Sequence, residues 1–175
     1  MTATAPPRVA RKLALAADHS PVVIIDTRLQ FCADVSPMPS MRGTLATGDY
    51  SVLGLEHAVA IGCKSLSDLL CCVGTERERF EKEVRRLLGY PIRAIVCETT
   101  WAEIEAGEWR SQVTPAAAIG SCRRWKAAGV PVVMARDRER AGRYIARLLW
   151  ITARRRWREL RALAGPIGAQ EEVTP

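Results

Sequence analysis

Residues 21–26, Pro-Val-Val-Ile-Ile-Asp, form a short unbroken apolar run closed by a carboxylate. That is the pattern of a strand buried on both faces with a polar group at its exit. Residues 42–52 and 57–61, with Thr44 to Tyr50 in the first run, Ala58 to Ile61 in the second and Gly54 free for a turn, predict a hairpin. Ser65 is a helix N-cap ahead of Leu69 and Leu70, with Asp68 in the first turn. Thr75 and Glu78 have capping-box spacing, and Phe80, Val84, Leu87 and Leu88 give the next helix its apolar stripe, stopped by Gly89. Residues 91–97 repeat the buried-strand pattern and deliver Glu98 at its C-terminal end. Residues 100–105 predict one or two helical turns, and Thr114 caps a helix that begins on Pro115 and ends near Gly129. Residues 130–134 form a last buried strand, and Asp137 opens a long helix through Tyr144, Ile145, Leu148, Leu149 and Ile151 to about Leu163.

The resulting order, β, ββ, αα, β, α, β, α, predicts an α/β domain with a mixed central β-sheet flanked by helices. We expect residues 1–20 to be a flexible leader, residues 21–164 the folded domain, and residues 165–175 a disordered tail broken by Gly165, Pro166 and Gly168.

Length and composition narrow the class. A chain of 175 residues suits one domain with a proper core, and its 48% apolar and 26% charged residues fit neither a disordered nor a membrane protein. No apolar run approaches the roughly 20 residues of a membrane span. The leader has no apolar core of a secretion signal, so a cytoplasmic location is expected. The net charge of +7 is concentrated in residues 136–161, where ten arginines face only Asp137, Glu139 and Glu159. The rest of the chain is neutral, so this block reads as a polyanion-facing surface or as an arginine-rich solvated helix face. Six cysteines without a secretion signal are expected to be free thiols, and with no CxxC pair and only His19 and His57 a zinc site has nothing to build on.

Open α/β sheets gather chemistry at strand ends, which singles out Asp26, Asp49, Asp68 and Glu98. Asp49 falls on the first hairpin strand and Lys64 ends the second. Mg²⁺ takes one or two carboxylates plus phosphate oxygens, and a lysine beside it can position water and offset phosphate charge. Residue type alone fits a turn-capping aspartate and a solvated lysine equally well. Cys63 is a poor nucleophile, because strand alternation points Lys64 to the opposite face and His57 lies about 20 Å back along the strand. Trp109, Trp125 and Trp157 adjoin arginines in a pattern suited to base stacking, while Trp101 and Trp150 read as packing residues.

The words Asp26-Thr27-Arg28, Gly48-Asp49-Tyr50 and Lys64 followed by Asp68 are more specific than their residue types. In this order, from about Pro21 to Leu163, the chain resembles the XPF-type structure-specific DNA endonuclease domain of the restriction-endonuclease-like superfamily. That family reads Asp-x-Arg-Glu, Gly-Asp-Tyr and Glu-Arg-Lys-x-x-x-Asp at these places. The resemblance implies a restriction-endonuclease-like sandwich, Asp49 as metal ligand and Lys64 as catalytic lysine. It also implies that Asp26 and Arg28 line the same cleft and that Asp68 braces it. Mg²⁺ or Mn²⁺ is the implied cofactor, branched or partly single-stranded DNA the implied partner, DNA repair the implied process and the nucleoid the implied place. Two carboxylates are missing: Gly62-Cys63 stands for Glu-Arg, and Leu29 for the glutamate of the first motif. Weakened metal binding and impaired phosphodiester hydrolysis are therefore expected, with Glu56 or Glu98 as the possible replacements. The alternative is a pseudonuclease that binds DNA or scaffolds a partner. The tandem helix-hairpin-helix module of many relatives is not found in these residues. DNA grip is accordingly assigned to Arg154, Arg155, Arg156, Trp157 and Arg158, or to a homodimer or partner subunit.

Overall fold

The computed structural model describes residues 20–169. The leader assigned to residues 1–20 lies, apart from Ser20, outside the described residues, as do residues 170–175 of the expected tail. Among the described residues, six strands form one sheet: β1 (Val23–Asp26), β2 (Ser40–Gly43), β3 (Tyr50–Val52), β4 (Val59–Ser65), β5 (Ile92–Glu98) and β6 (Val132–Met134), in the order β2-β1-β3-β4-β5-β6. The β1–β3 and β3–β4 pairs are antiparallel, and the β1–β2, β4–β5 and β5–β6 pairs parallel. This is the mixed α/β sheet expected from the alternation of elements.

Among the described residues five helices cover the sheet: α1 (Leu66–Val73), α2 (Arg77–Leu87), α3 (Trp101–Ala106), α4 (Pro115–Ala127) and α5 (Arg138–Ala169). Strand alternation splits the core into two layers. On one face Ala141, Ile145 and Leu149 of α5 pack on Val23, Ile25, Tyr50, Ile61 and Val96. On the other, Leu69, Phe80, Val84, Ile104 and Trp125 from α1 to α4 pack on Ala60, Ile95 and Cys97. Phe80 and Trp125 meet edge to face at 4.9 Å, a geometry worth about 1 kcal/mol beyond burial.

Local signals placed most helix starts. Ser65 and Thr100 each form a reciprocal capping box, with Asp68 and Glu103 respectively, and Thr114 caps α4 with Pro115 in its first turn. Three expectations change. Thr75 is not a cap: α2 starts after Glu76, which makes no side-chain cap bond. Residues 42–52 are not one hairpin strand, because residues 40–43 instead run parallel to β1 at the sheet edge and Asp49 immediately precedes the short β3. The last helix does not end near Leu163 but continues through Gly165 and Pro166 to Ala169.

Because β1, β4 and β5 run in one sense and β3 in the other, Asp26, Asp49, Lys64 and Glu98 come to the same end of the strands, where α1 and α5 also begin. The candidate site lies there.

Candidate functional site

A cleft of about 590 Å³ opens at these strand ends, lined by Asp26, Arg28, Asp49, Lys64, Glu83 and Glu98 among others. Asp49 is set by its neighbours on both sides. Gly48 has φ +80, and a Cβ there would sit 3.0 Å from the Ile61 carbonyl oxygen, so only glycine lets this turn lie flat on β4. The Asp49 N–H then donates to Ile61 O at 2.7 Å, and Asp49 Oδ2 accepts from the Cys63 N–H at 2.7 Å and lies 3.4 Å from Lys64 Nζ. Both side chains are largely buried, 17% and 16% exposed. Burial pulls the Lys64 pKa down, but the carboxylates of Asp49 and Glu83 outweigh it and hold the ammonium above its ordinary value. Tyr50, next in the chain, is fully buried, and its hydroxyl accepts from the Ala33 N–H at 2.7 Å, anchoring the loop after β1.

Asp26 lines the same cleft with its carboxylate already engaged. Oδ1 accepts from the Arg28 N–H at 2.9 Å and Nε at 2.7 Å, while Oδ2 accepts from Arg28 Nη2 at 2.9 Å and the Leu45 N–H at 2.8 Å. The Arg28 guanidinium, with the Leu45 amide behind it, holds this carboxyl down to about 2. Arg28 also donates to Leu45 O at 2.7 Å yet stays largely open to solvent, a planar fork fixed at the rim where a phosphate can reach it.

The two faces of β4 separate the next groups. Cys63 points to the α5 face, where its thiol lies 3.7 Å from Glu98 Oε1. Burial, reinforced by the Glu98 charge, pushes that thiol up to about 12, so Cys63 is no thiolate nucleophile. Glu98 in turn lies 3.3 Å from Arg138 Nε through both oxygens. Gly62 and Lys64 point the other way, toward α2. A Cβ on Gly62 would meet Asp49 Oδ2 at 3.8 Å and Glu83 Oε1 at 3.9 Å, ordinary contacts that leave room for a side chain. The atoms around this vacant side-chain position are two carboxylate oxygens and, at 4.0 Å, the Ala94 carbonyl oxygen, hard donors that suit Mg²⁺ or Mn²⁺. Among the described residues no group of three His, Cys, Asp or Glu side chains gathers, so a divalent cation here would take its other ligands from water and phosphate, as Mg²⁺ commonly does.

Glu83 was not singled out from the sequence, where attention fell on strand ends. Its signal was its place three residues after Phe80 and next to Val84, both of which α2 buries. Other expectations separate. Asp68 lines the cleft but spends its carboxylate on the Ser65 cap, with Oδ2 accepting from Ser65 Oγ at 2.8 Å. Glu56 sits in the turn between β3 and β4, at the opposite end of the strands. Trp125 is buried in the core and cannot stack on a base. Arg154, Arg155, Arg156, Trp157 and Arg158 lie far along α5, about 27 Å from Arg138 by helical rise, so the cleft does not include them. There Arg155 and Arg156 share Glu159 at 3.0 and 2.9 Å, and Arg147 and Arg154 lie over Trp150 at 5.2 and 4.8 Å. Trp157 and Arg156 line a separate groove with Val52 and Leu53. Two cleft residues gain weight instead: Phe31 is 69% exposed at the mouth, and the Arg138 guanidinium lies 5.5 Å from its ring centre.

No family model matches the chain, and no curated protein matches it. Among solved structures it is similar to XPF from Aeropyrum pernix, with a TM-score of 0.62 and 17% identity over 77% of this chain and 66% of that one. It is likewise similar to XPF from Aeropyrum pernix in complex with DNA, with a TM-score of 0.59, 16% identity and the same coverage. The chain thus spans just under two thirds of the length of these neighbours. At this identity the likeness is one of fold: this chain has the restriction-endonuclease-like α/β fold that it shares with XPF from Aeropyrum pernix.

Proposed function

We propose that this chain is a DNA-binding nuclease domain that hydrolyses phosphodiester bonds in branched or partly single-stranded DNA with Mg²⁺ or Mn²⁺. The observation that carries the reading is the pair Asp49 and Lys64, buried side by side at the strand ends of a fold shared with XPF from Aeropyrum pernix, one of whose structures is a complex with DNA. Asp49 would hold a divalent cation, which would supply electrophilic help at the phosphate and lower the pKa of a bound water. The chain's own residues do the rest. Arg28 and Arg138 receive phosphates at the rim, Lys64 offsets charge that builds on the scissile phosphate, and Asp26 and Tyr50 hold the rim loops in register. Phe31 offers its open ring to an unpaired base, which favours a partly single-stranded substrate. The arginines of α5 extend the grip away from the cleft, and a second copy or a partner subunit completes it.

A specific observation favours a second reading, DNA binding without cleavage. The position of the motif arginine is Cys63, whose buried thiol faces away from the cleft's Lys64 side, and Gly62 brings no carboxylate. Incubation of a forked DNA with Mn²⁺ separates the two. The nuclease reading expects cleavage that disappears in Asp49→Ala and Lys64→Ala, while binding in EDTA persists. Cleavage that survives Asp49→Ala removes the site assignment, and salt-dependent binding without any cleavage selects the second reading.

A further inference from the structure

We propose that Glu83 of α2 replaces the carboxylate absent at Gly62, so that Asp49 and Glu83 together form the divalent-cation site of this chain. The inference rests on the nuclease reading for the kind of cation and on the structure for the residue. Side-chain parity along β4 comes first. Gly62 and Lys64 share a face, and that face looks onto α2, whereas Cys63 and the Glu98 it touches look onto α5. Glu98, the replacement suggested by its strand-end position, lines the same cleft from the Cys63 side, and Arg138 already pairs with it at 3.3 Å. Glu56 is at the opposite end of β4.

Helix periodicity comes second. Phe80, Val84 and Leu87 bury one stripe of α2 against the sheet, and Glu83, three residues from Phe80, lies at the margin of that stripe instead of on the solvated back. Its Oε1 comes within 3.9 Å of where a Gly62 Cβ would be, and Asp49 Oδ2 comes within 3.8 Å of the same point. Both carboxylates approach the point from which a side chain at position 62 would start. The glycine leaves that space open, and a carboxylate reaches it from the helix. Among the described residues Glu83 makes no ion pair, in contrast to Glu76, Glu81, Glu98, Glu139 and Glu159. It is a half-buried anion whose attractive neighbour is the Lys64 charge, the same charge that Asp49 faces. Two hard oxygen donors, with water completing the shell, match the way Mg²⁺ and Mn²⁺ are held at phosphate-processing sites.

Mn²⁺ titration of the full chain, followed by electron paramagnetic resonance of the free ion, tests the site without reference to cleavage. The unmodified chain is expected to bind one Mn²⁺ saturably, Asp49→Asn to abolish that binding, and Glu83→Gln to weaken it at least tenfold with an unchanged melting temperature. Moving the carboxylate back to the strand, in Gly62→Glu combined with Glu83→Gln, is expected to restore most of the affinity, because the space at position 62 accepts a side chain. Unchanged Mn²⁺ affinity in Glu83→Gln overturns the inference while leaving the nuclease reading in place. Absence of any saturable Mn²⁺ site in the unmodified chain overturns the inference together with metal-dependent hydrolysis, and salt-dependent DNA binding in EDTA then stands as the separate measure of the DNA reading.

Discussion

Asp26 is buried yet charged, and the reason is the completeness of its pairing: two oxygens receive two guanidinium and two backbone donors. Its folded pKa of about 2 lies below the ordinary 3.8. The stability this confers is thus present above pH 3.8 and lost as pH falls toward 2, amounting to about 2 kcal/mol. Denaturant unfolding measured from pH 5 to pH 2 is expected to show that acid limb. Asp26→Asn should remove the limb and lower stability at neutral pH, since the amide cannot satisfy the same four donors. Phe31 tests the opposite kind of residue, one open to solvent. If its ring stacks on an unpaired base, Phe31→Ala weakens binding to a forked or single-stranded DNA by about 1–3 kcal/mol, with little change for blunt duplex in the same competition assay. Equal losses on both substrates would assign Phe31 a packing role. The sequence made Asp26, Asp49 and Lys64 visible because short contiguous words carried them. Glu83 escaped because its partner in space is a glycine twenty-one positions earlier, and nothing in local spacing links a helix margin to a missing strand side chain.

The elements that hold these residues differ in how far their causes lie along the chain. Strands β1 and β5 and the caps Ser65 and Thr114 were legible, since each depends on an apolar run or on a side chain three residues from the amide it binds, whereas residues 100–105 were read as helical turns without their Thr100 cap. Strand β2 was not: its four residues are mostly exposed, and it exists because β1 offers an edge for parallel pairing. The seating of α5 is equally non-local. A Cβ on Gly142 would lie 2.1 Å from the Asp34 carbonyl oxygen, so the helix can approach the loop after β1 only through glycine. Tyr50 clamps the same loop at Ala33, and Phe31 rides on it. Gly142→Ala is accordingly expected to cost about 1–3 kcal/mol by overpacking and to lower the melting temperature by several degrees. Because the loop must shift to admit the methyl group, forked-DNA affinity should fall alongside. A variant with unchanged melting temperature would mean that the loop yields freely and that the clamp has little hold on Phe31.

At the scale of the whole molecule, two groups of arginines are joined by α5. Arg28, Arg86 and Arg138 line the cleft, and Arg154, Arg155 and Arg156 lie well along α5, about 27 Å from Arg138. At 3.4 Å of rise per base pair that separation corresponds to about eight base pairs, so one duplex arm leaving the cleft along the helix can reach both groups. The ion pairs of Arg155 and Arg156 with Glu159 are exposed, and pairs of that kind contribute at most about 1 kcal/mol, so a phosphate can displace the carboxylate at small cost. Each phosphate neutralised steepens the dependence of log affinity on log salt by about 0.9. Replacing Arg154, Arg155 and Arg156 by alanine should therefore flatten the slope by about two to three, and replacing Arg28, Arg86 and Arg138 should do the same while also weakening forked over blunt DNA. The six replacements together should flatten it by about five, because the groups lie too far apart to share a phosphate. If the distal triple leaves the slope unaltered, the arm does not follow α5, and the arginine block is a solvated helix face whose share of the net +7 raises the encounter rate without touching DNA.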